Sequence, residues 1–460
     1  MSGRPNLLFI FADAFRFSAA GARAGFDPVL TPNLNRLASQ GATLTHAVSN
    51  FPLCSPYRAM LLTGQYPFRN GVTGNCCSMP GCENNYLRPD APTFTDALAS
   101  AGYSIGYVGK WHLEKPQEPY IGPADRLGYF WNEFTPPERR HGVGFWCAYN
   151  TYDNHFQPEY WITGMPRSTR HRADAWSPKF ETDVGLAFLE NDRAQFRRPD
   201  EPFALFLSFN PPHTPFEQVP PDLLTLYNGR RATDLLVRPN VDFNDQSLPS
   251  RIARHYVSNY FAMITGIDAQ VGRMLEALDS ANLADDTLVV FTSDHGEMMG
   301  SQRLMYKGFA YDESIRVPFF ARLPGKIPAG HVSDALLSAP DVMPTLLDTL
   351  GLADHTPAGI EGVSRAGELD GSQRTSRADS SFLLNPADGW RGVRTERYTF
   401  TFLPDQTTGA QLFDNLIDPY QMHDCASEFP EIVEQLRRRT LTWMRDLGDP
   451  ASSPSARETV

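Results

Sequence analysis

Four apolar runs in this sequence stop at residues that can do chemistry. "NLLFIFA" (6–12) is followed by Asp13, and "YSIGYVG" (103–109) by Lys110 and His112. "PFALFLSF" (202–209) leads into "NPPH" and His213, and "TLVVFTS" (287–293) into Asp294 and His295. In open α/β sheets, ligands bind just beyond the carboxyl ends of the strands, so polar residues repeated there meet in one pocket although they lie far apart in sequence. A lone Asp after a strand is ordinarily a cap or a turn residue. Six such residues at four strand ends are better explained as a site. Two carboxylates and a histidine suit a divalent cation; oxygen ligands favour Ca²⁺ or Mg²⁺, and His295 leaves Mn²⁺ open. Lys110, His112, His213 and the later Lys307 would then supply cationic or titratable groups for an anionic ester.

A fifth segment, "FPLCSPYRAMLLTG" (51–64), carries Cys54 at the start of a short helix. Pro56 suits the first turn and Gly64 the stop, so Cys54 sits near the positive end of the helix dipole with Arg58 one turn further in. That geometry suits an anion. A small packed cysteine and a thiolate nucleophile of lowered pKa are the other readings of the same residue.

The elements that must position these residues follow an α/β rhythm. "TPNLNRLASQG" (31–41) predicts a helix with Thr31 as cap and Gly41 as stop. "FTDALASAG" (94–102) predicts a helix ahead of the strand at 103–109, and "YFAMITGIDAQVGRMLEALDSAN" (260–282) one ahead of the strand at 287–292. The implied fold class is α/β: a large central mixed, mostly parallel sheet sandwiched by helices. The stretch 114–180, rich in Trp, Tyr, His and Pro, shows no clean period and is expected to form long loops over that sheet. Beyond about residue 365 the texture changes, with a strand or hairpin at 390–403 and a closing amphipathic helix at 430–448. The chain therefore divides into a main domain, 1–365, and a C-terminal α+β subdomain, 366–460, with a small antiparallel sheet and a closing helix.

Composition narrows the function classes. Of 460 residues, 41% are hydrophobic and 20% charged, enough to build a packed interior. A net charge of −12 argues against nucleic acid as a partner. No apolar run approaches the ~18 residues of a membrane span, and the run at the N-terminus ends in Asp13 rather than in a small-residue cleavage site. The expected location is the cytoplasm, unless a leader has been removed. Six cysteines are too sparse for a disulfide framework, and Cys76, Cys77 and Cys82 lack paired zinc-ligand spacing.

Cys54-x-Pro56-x-Arg58 followed by "AMLLTG" resembles the signature of the type I sulfatases, within the alkaline phosphatase superfamily. Further motifs match in the family's order: "NLLFIFAD", "GKWHL" (109–113), "PPHTPF" (211–216), "TSDHGEMMG" (292–300), "YKGFAYDESIRVPFF" (306–320) and "LFDNLIDPYQMHDCA" (412–426). The resemblance implies an alkaline phosphatase-like fold and a sulfuric ester hydrolase whose Cys54 is converted to Cα-formylglycine. By the same resemblance, Asp13, Cys54, Asp294 and His295 would hold the cation, usually Ca²⁺ in the family, and Arg58, Lys110 and Lys307 would neutralise the sulfuryl oxygens. His213 with Lys307 would protonate the departing alcohol, leaving a covalent sulfate hemiester on residue 54. His112 would then take the remaining hydroxyl proton and expel sulfate. The implied partners are a small sulfated substrate and the enzyme that modifies Cys54 by reading Cys54, Pro56 and Arg58.

Two positions depart from the family pattern. Ala14 stands where a second acid or an amide usually follows the first metal Asp, and Tyr57 where serine is common. The segment "GFWCAYNTYDNHFQPEYWITG" (144–164) is similar to the aromatic, His-bearing region of carbohydrate sulfatases, which suggests a sulfated saccharide, with an aryl or alkyl sulfate as the other choice. His155 is expected to touch substrate, and Trp390 and Arg391, with Arg394, to reach the rim. Two alternatives stand beside this reading: a formylglycine-dependent phosphonate monoester or phosphodiester hydrolase, and a protein that binds sulfated ligands without turning them over.

Overall fold

The four apolar runs become four adjacent strands at the middle of one eleven-stranded sheet. In the computed structural model, which describes residues 3–21, 26–372, 378–406 and 409–452, the strands are β1 (Asn6–Asp13), β2 (Ala42–Val48), β3 (Ser104–Lys110), β4 (Phe145–Tyr149), β5 (Glu159–Ile162), β6 (His171–Arg172), β7 (Phe203–Pro212), β8 (Thr287–Ser293), β9 (Arg316–Val317), β10 (Phe319–Arg322) and β11 (His331–Ser338). Their order is β11-β2-β10-β8-β1-β7-β3-β4-β5-β6, with β9 paired to β2. β1 runs parallel to both β7 and β8, and β3 parallel to β7 and β4. The carboxyl ends of β8, β1, β7 and β3 therefore lie side by side. β10 and β5 run antiparallel to their neighbours, which makes the sheet mixed.

Burial on both faces explains why these strands read as unbroken apolar runs rather than as alternating ones. Side chains alternate across a strand, so Leu7, Phe9 and Phe11 of β1 enter one core while Leu8, Ile10 and Ala12 enter the other. Between Ala12 and Asp13 the register with β7 slips, and Asp13 pairs with Pro212. Helix α1 (Pro32–Gln40) and the 33-residue helix Leu248–Ser280 cover one face. Helix α2 (Cys54–Thr63) packs in the core on the other face, through Met60, Leu61 and Leu62.

Three local expectations need correcting. The long helix begins at Leu248, not at residue 260, because its first turns bury only Ser250, Ala253 and Val257 and lack an apolar run. The stretch 114–180 is not all loop: it contains β4, β5 and β6 and the start of the helix Ser177–Glu190. β4 is buried at all five positions and so shows no alternation to detect. Gly41 ends α1 in an extended conformation (φ −147°) rather than in the left-handed stop that glycine often supplies.

The smaller C-terminal lobe is an antiparallel sheet, ordered β12 (Ser381–Leu384), β13 (Arg391–Arg394), β14 (Tyr398–Phe402), β15 (Gln411–Asp414), closed by the helix Pro430–Asp446. Phe382, Phe400, Leu436 and Met444 join the same core as α2, and the Asn50 side chain donates to Phe382 O at 2.6 Å. The lobe is thereby packed onto the segment that leads into Cys54. All six cysteines are free thiols. Among the described residues no helix is long and apolar enough to cross a membrane.

Candidate active site

Cys54 is the first residue of α2, set there by Leu53 in an extended conformation, and Gly64 ends the helix in the left-handed region (φ 63°). The first turn is anchored from outside: Ser55 N donates to Asn75 Oδ1 at 3.1 Å, and Ser55 Oγ to His112 O at 2.7 Å. Only 2% of Cys54 is exposed. Burial and Asp13 alone would raise its pKa, but Lys307, Lys110 and His295 bring it below the ordinary thiol value.

Three strand-end residues close around the sulfur. His295 Nε2 lies 3.3 Å from Cys54 Sγ, 3.4 Å from Asp13 Oδ1 and 3.7 Å from Asp294 Oδ1, and one ligand atom from each of the four residues falls within 4.8 Å of all the others. All four are buried. His295 Nδ1 donates to Gly296 O at 2.9 Å, which aims the other ring nitrogen at the carboxylates, as in many metal-binding histidines. Burial would lower its pKa, yet Asp294 and Cys54 carry it up to about 8. Burial and the neighbouring Asp13 push Asp294 upward, and its Oδ2 has no hydrogen-bond partner among the described residues, although Arg58 Nη2 stands 3.2 Å away. Two buried carboxylates that repel each other across a few ångströms require positive charge between them. The donor set fits a hard divalent ion.

Arg58 lies beneath this cluster. Its Nη2 meets Asp13 at 3.1 Å, its Nη1 donates to Lys110 O and Ser208 Oγ at 2.8 Å each, and its guanidinium covers the Phe11 ring at 4.7 Å. It is absent from the residues that line the cavity above, so it meets the carboxylates from below. Lys110 Nζ is 2.7 Å from Asp13 Oδ2 and donates to Asn210 Oδ1 at 3.0 Å. Although burial opposes ionisation, Lys110, His213, His295 and Arg58 together hold Asp13 well below the usual carboxylate range.

Above the cluster opens a cavity of about 760 Å³ whose floor is Cys54, Lys110, His112, His213 and Lys307. His112 sits in the left-handed region (φ 53°), a strained conformation typical of functional positions. Both of its ring nitrogens are buried without a hydrogen-bond partner among the described residues. Burial, reinforced by Lys110 and Arg58, holds its pKa well below 6.5, so the ring is a neutral proton acceptor. His213 Nδ1 lies 2.9 Å from the carbonyl oxygen of Thr214, which can only accept, so Nδ1 carries the hydrogen and Nε2 accepts from Lys307 Nζ at 2.7 Å. Burial and Lys307 lower the His213 pKa well below 6.5. Burial opposes the Lys307 charge, but Cys54, Asp13, Glu297 and Asp294 raise its pKa above 10.5. The shared proton therefore belongs to the lysine.

The structure thus brings Asp13, Cys54, Arg58, Lys110, His112, His213, Asp294, His295 and Lys307 together. It does not bring His155, Trp390 or Arg391 to the cavity wall. His155 is fully buried behind His213, and its Nε2 donates to His213 O at 3.0 Å. Trp390 donates from Nε1 to Gly308 O at 3.2 Å, and Arg391 is buried against Asp449. Asn210 and Ser208, which hold Lys110 and Arg58, escaped sequence reasoning because they stand inside β7. Their signal was two polar residues in a strand buried at all ten positions.

The Sulfatase family profile matches residues 5–352, and the profile for the C-terminal part of N-sulphoglucosamine sulphohydrolase matches 300–446. The chain is 37% identical to the endo-4-O-sulfatase of Bacteroides thetaiotaomicron, over 97% of this chain and 93% of that protein. It is 31% identical to the ulvan-active sulfatase of Formosa agariphila, over 98% and 83%. A solved 36% identical structure from work on glycosaminoglycan metabolism by Bacteroides thetaiotaomicron superposes with a TM-score of 0.89, covering 98% of each chain.

Proposed function

This chain belongs to the type I sulfatase family of the alkaline phosphatase superfamily, and from that premise we propose that it removes a sulfate ester from a saccharide. As a sulfatase it hydrolyses sulfuric esters, and the family implies a divalent metal and a formylglycine at position 54. One observation carries the reading. Residues from four strand ends and from the start of α2 converge on one place: Cys54, Lys110, His112 and His213 form the floor of the cavity, and Asp13, Asp294 and His295 lie beneath it, their ligand atoms and the Cys54 sulfur within 4.8 Å of one another. The saccharide is supported by the names of the two relatives and by a cavity of about 760 Å³, walled by Trp131, Tyr152, Asn154 and Gln157, which suit sugar rings and hydroxyls.

Asp13, Asp294 and His295 would hold the ion, which we take to be Ca²⁺ because the set is dominated by carboxylate oxygen. In the working enzyme the ion supplies positive charge for an ester oxygen, and the oxidised side chain supplies a hydrated aldehyde as nucleophile. Cys54 Sγ marks where a hydroxyl oxygen of the hydrated aldehyde would stand. Lys110 and Lys307, facing the cavity, orient the sulfuryl group and offset charge building on its oxygens. Arg58 fixes Asp13 and Asp294 from below. Lys307, held by His213 Nε2, gives a proton from its ammonium to the departing alcohol oxygen, and the neutral His112 removes a proton at residue 54 to release sulfate. Maturation would need an enzyme that reads Cys54, Pro56 and Arg58.

Mass spectrometry of the peptide around residue 54 should report aldehyde in the active protein. Cys54→Ala should lose turnover of an aryl sulfate and of a sulfated oligosaccharide. Full activity in Cys54→Ala, or turnover of a phosphonate monoester with neither sulfate cleaved, would refute the proposal.

A further inference from the structure

The outer wall of the cavity carries a cation that the reaction just described does not use. Arg172, in the short edge strand β6, is exposed on that wall. The three carboxylates on the cavity wall make no ion pair with Arg172 among the described residues. Asp125 accepts from Leu127 N, Tyr129 N and Trp131 Nε1, Glu159 pairs with Arg170 at 3.0 Å, and Asp153 stands 3.7 Å from His213 Nδ1. Arg172 makes no ion pair among the described residues; its guanidinium donates to the side-chain oxygen of Gln157.

Gln157 also borders an open trough of about 470 Å³ beside the cavity, and Asn154 and Gln218 are likewise common to both. Phe156 and Trp176 add aromatic surface there, and Asp174 an acceptor. Aromatic faces beside side-chain amides suit a sugar ring and its hydroxyls. The trough is tied to the catalytic floor, because His155 donates from N to Gln218 Oε1 and from Nε2 to His213 O.

We propose that this trough seats the sugar unit next to the one that loses its sulfate, and that Arg172 recognises a second anionic group on that unit, a carboxylate or a sulfate. The inference rests on the saccharide reading above. A planar guanidinium free of carboxylate partners can donate two parallel hydrogen bonds to either group, where a neutral sugar offers only hydroxyls. The floor is already committed to the sulfate being cleaved. Arg172 is thus a binding residue for the longer substrate.

The test compares formylglycine-bearing wild type with Arg172→Ala and Arg172→Lys on 4-nitrocatechol sulfate and on three tetrasaccharides. The first has one cleavable sulfate and a uronate carboxylate next to it, the second has that carboxylate reduced to an alcohol, and the third has the reduced unit carrying a second sulfate. In Arg172→Ala the ratio of kcat/KM for an anionic tetrasaccharide to that for the aryl sulfate should fall about tenfold, mainly through KM, with partial recovery in Arg172→Lys. Whether the first or the third tetrasaccharide shows the fall identifies the group. A ratio unchanged for both, or falling equally for the neutral tetrasaccharide, overturns the proposal, as does wild type that cleaves the aryl sulfate and no tetrasaccharide. Absence of turnover on every sulfate would instead strike at the sulfatase reading itself and take this one with it.

Discussion

Replacing Lys307 by alanine should separate substrates according to how much help their leaving groups need. Lys307 Nζ is 2.7 Å from His213 Nε2, and the lysine rather than the imidazole holds the proton. A sugar alkoxide cannot leave without that proton, whereas a nitrocatecholate can. General acid catalysis contributes roughly 10²–10⁴ in rate, or about 3–6 kcal/mol at about 1.4 kcal/mol per tenfold. Loss of the ammonium charge beside Cys54 and Asp13 should slow both substrates alike, so the informative quantity is the ratio. Measured as kcat/KM, Lys307→Ala should lose about 10² more on an alkyl or sugar sulfate than on 4-nitrocatechol sulfate. His213→Ala should show a similar bias, and the double variant little more, since both residues act on one proton. The pH profile adds a sign. Because the acid is an ammonium raised above 10.5, the wild-type rate on the sugar sulfate should not fall between about pH 7 and about pH 9 for want of a proton. Equal losses on both substrates, or a rate declining steadily above about pH 6, would refute this assignment and return the proton to an imidazolium.

Two further outcomes concern stability. Glu114, buried beside His112, has its pKa raised from 4.5 to about 7, chiefly by burial and against the pull of Arg139. Its stabilising share is complete below about pH 4.5 and is lost as pH rises toward 7, so Glu114→Gln should raise stability by about 3 kcal/mol at pH ~8 and by under about 1 kcal/mol at pH ~5, read from denaturant melts; a gain independent of pH would contradict the argument. Arg391→Ala leaves the buried Asp449 carboxylate unpaired and should cost about 3–5 kcal/mol with KM unchanged; a raised KM with an unaltered melting temperature would put Arg391 at the substrate after all.

What the sequence made legible follows from what each strand buries. β1, β3, β7 and β8 bury both faces, so their ends stood out as abrupt changes from apolar to polar, and those ends hold Asp13, Lys110, His213 and Asp294. The first turns of Leu248–Ser280 pack few apolar residues and left no such edge. Side-chain direction was beyond sequence reasoning. Arg58 reads equally well as facing a ligand or facing the carboxylates, and only the packing of α2 over Phe11 turns it downward. His155 lies between Tyr152 on the cavity wall and Phe156 on the trough, yet its bond to His213 O draws it inward. Arg391 resembled a rim cation because its partner, Asp449, lies 58 residues away in sequence.

The burial of α2 bears on timing. If an enzyme oxidises Cys54 by reading Cys54, Pro56 and Arg58, it must grip a segment whose ten residues are all buried once folded, with only Cys54 bordering the cavity and the arginine locked against two carboxylates. That grip is open only to an extended chain. The oxidation would therefore have to precede closure of the sheet over α2, and any copy that folds first would remain a thiol, intact in shape and beyond later repair without unfolding.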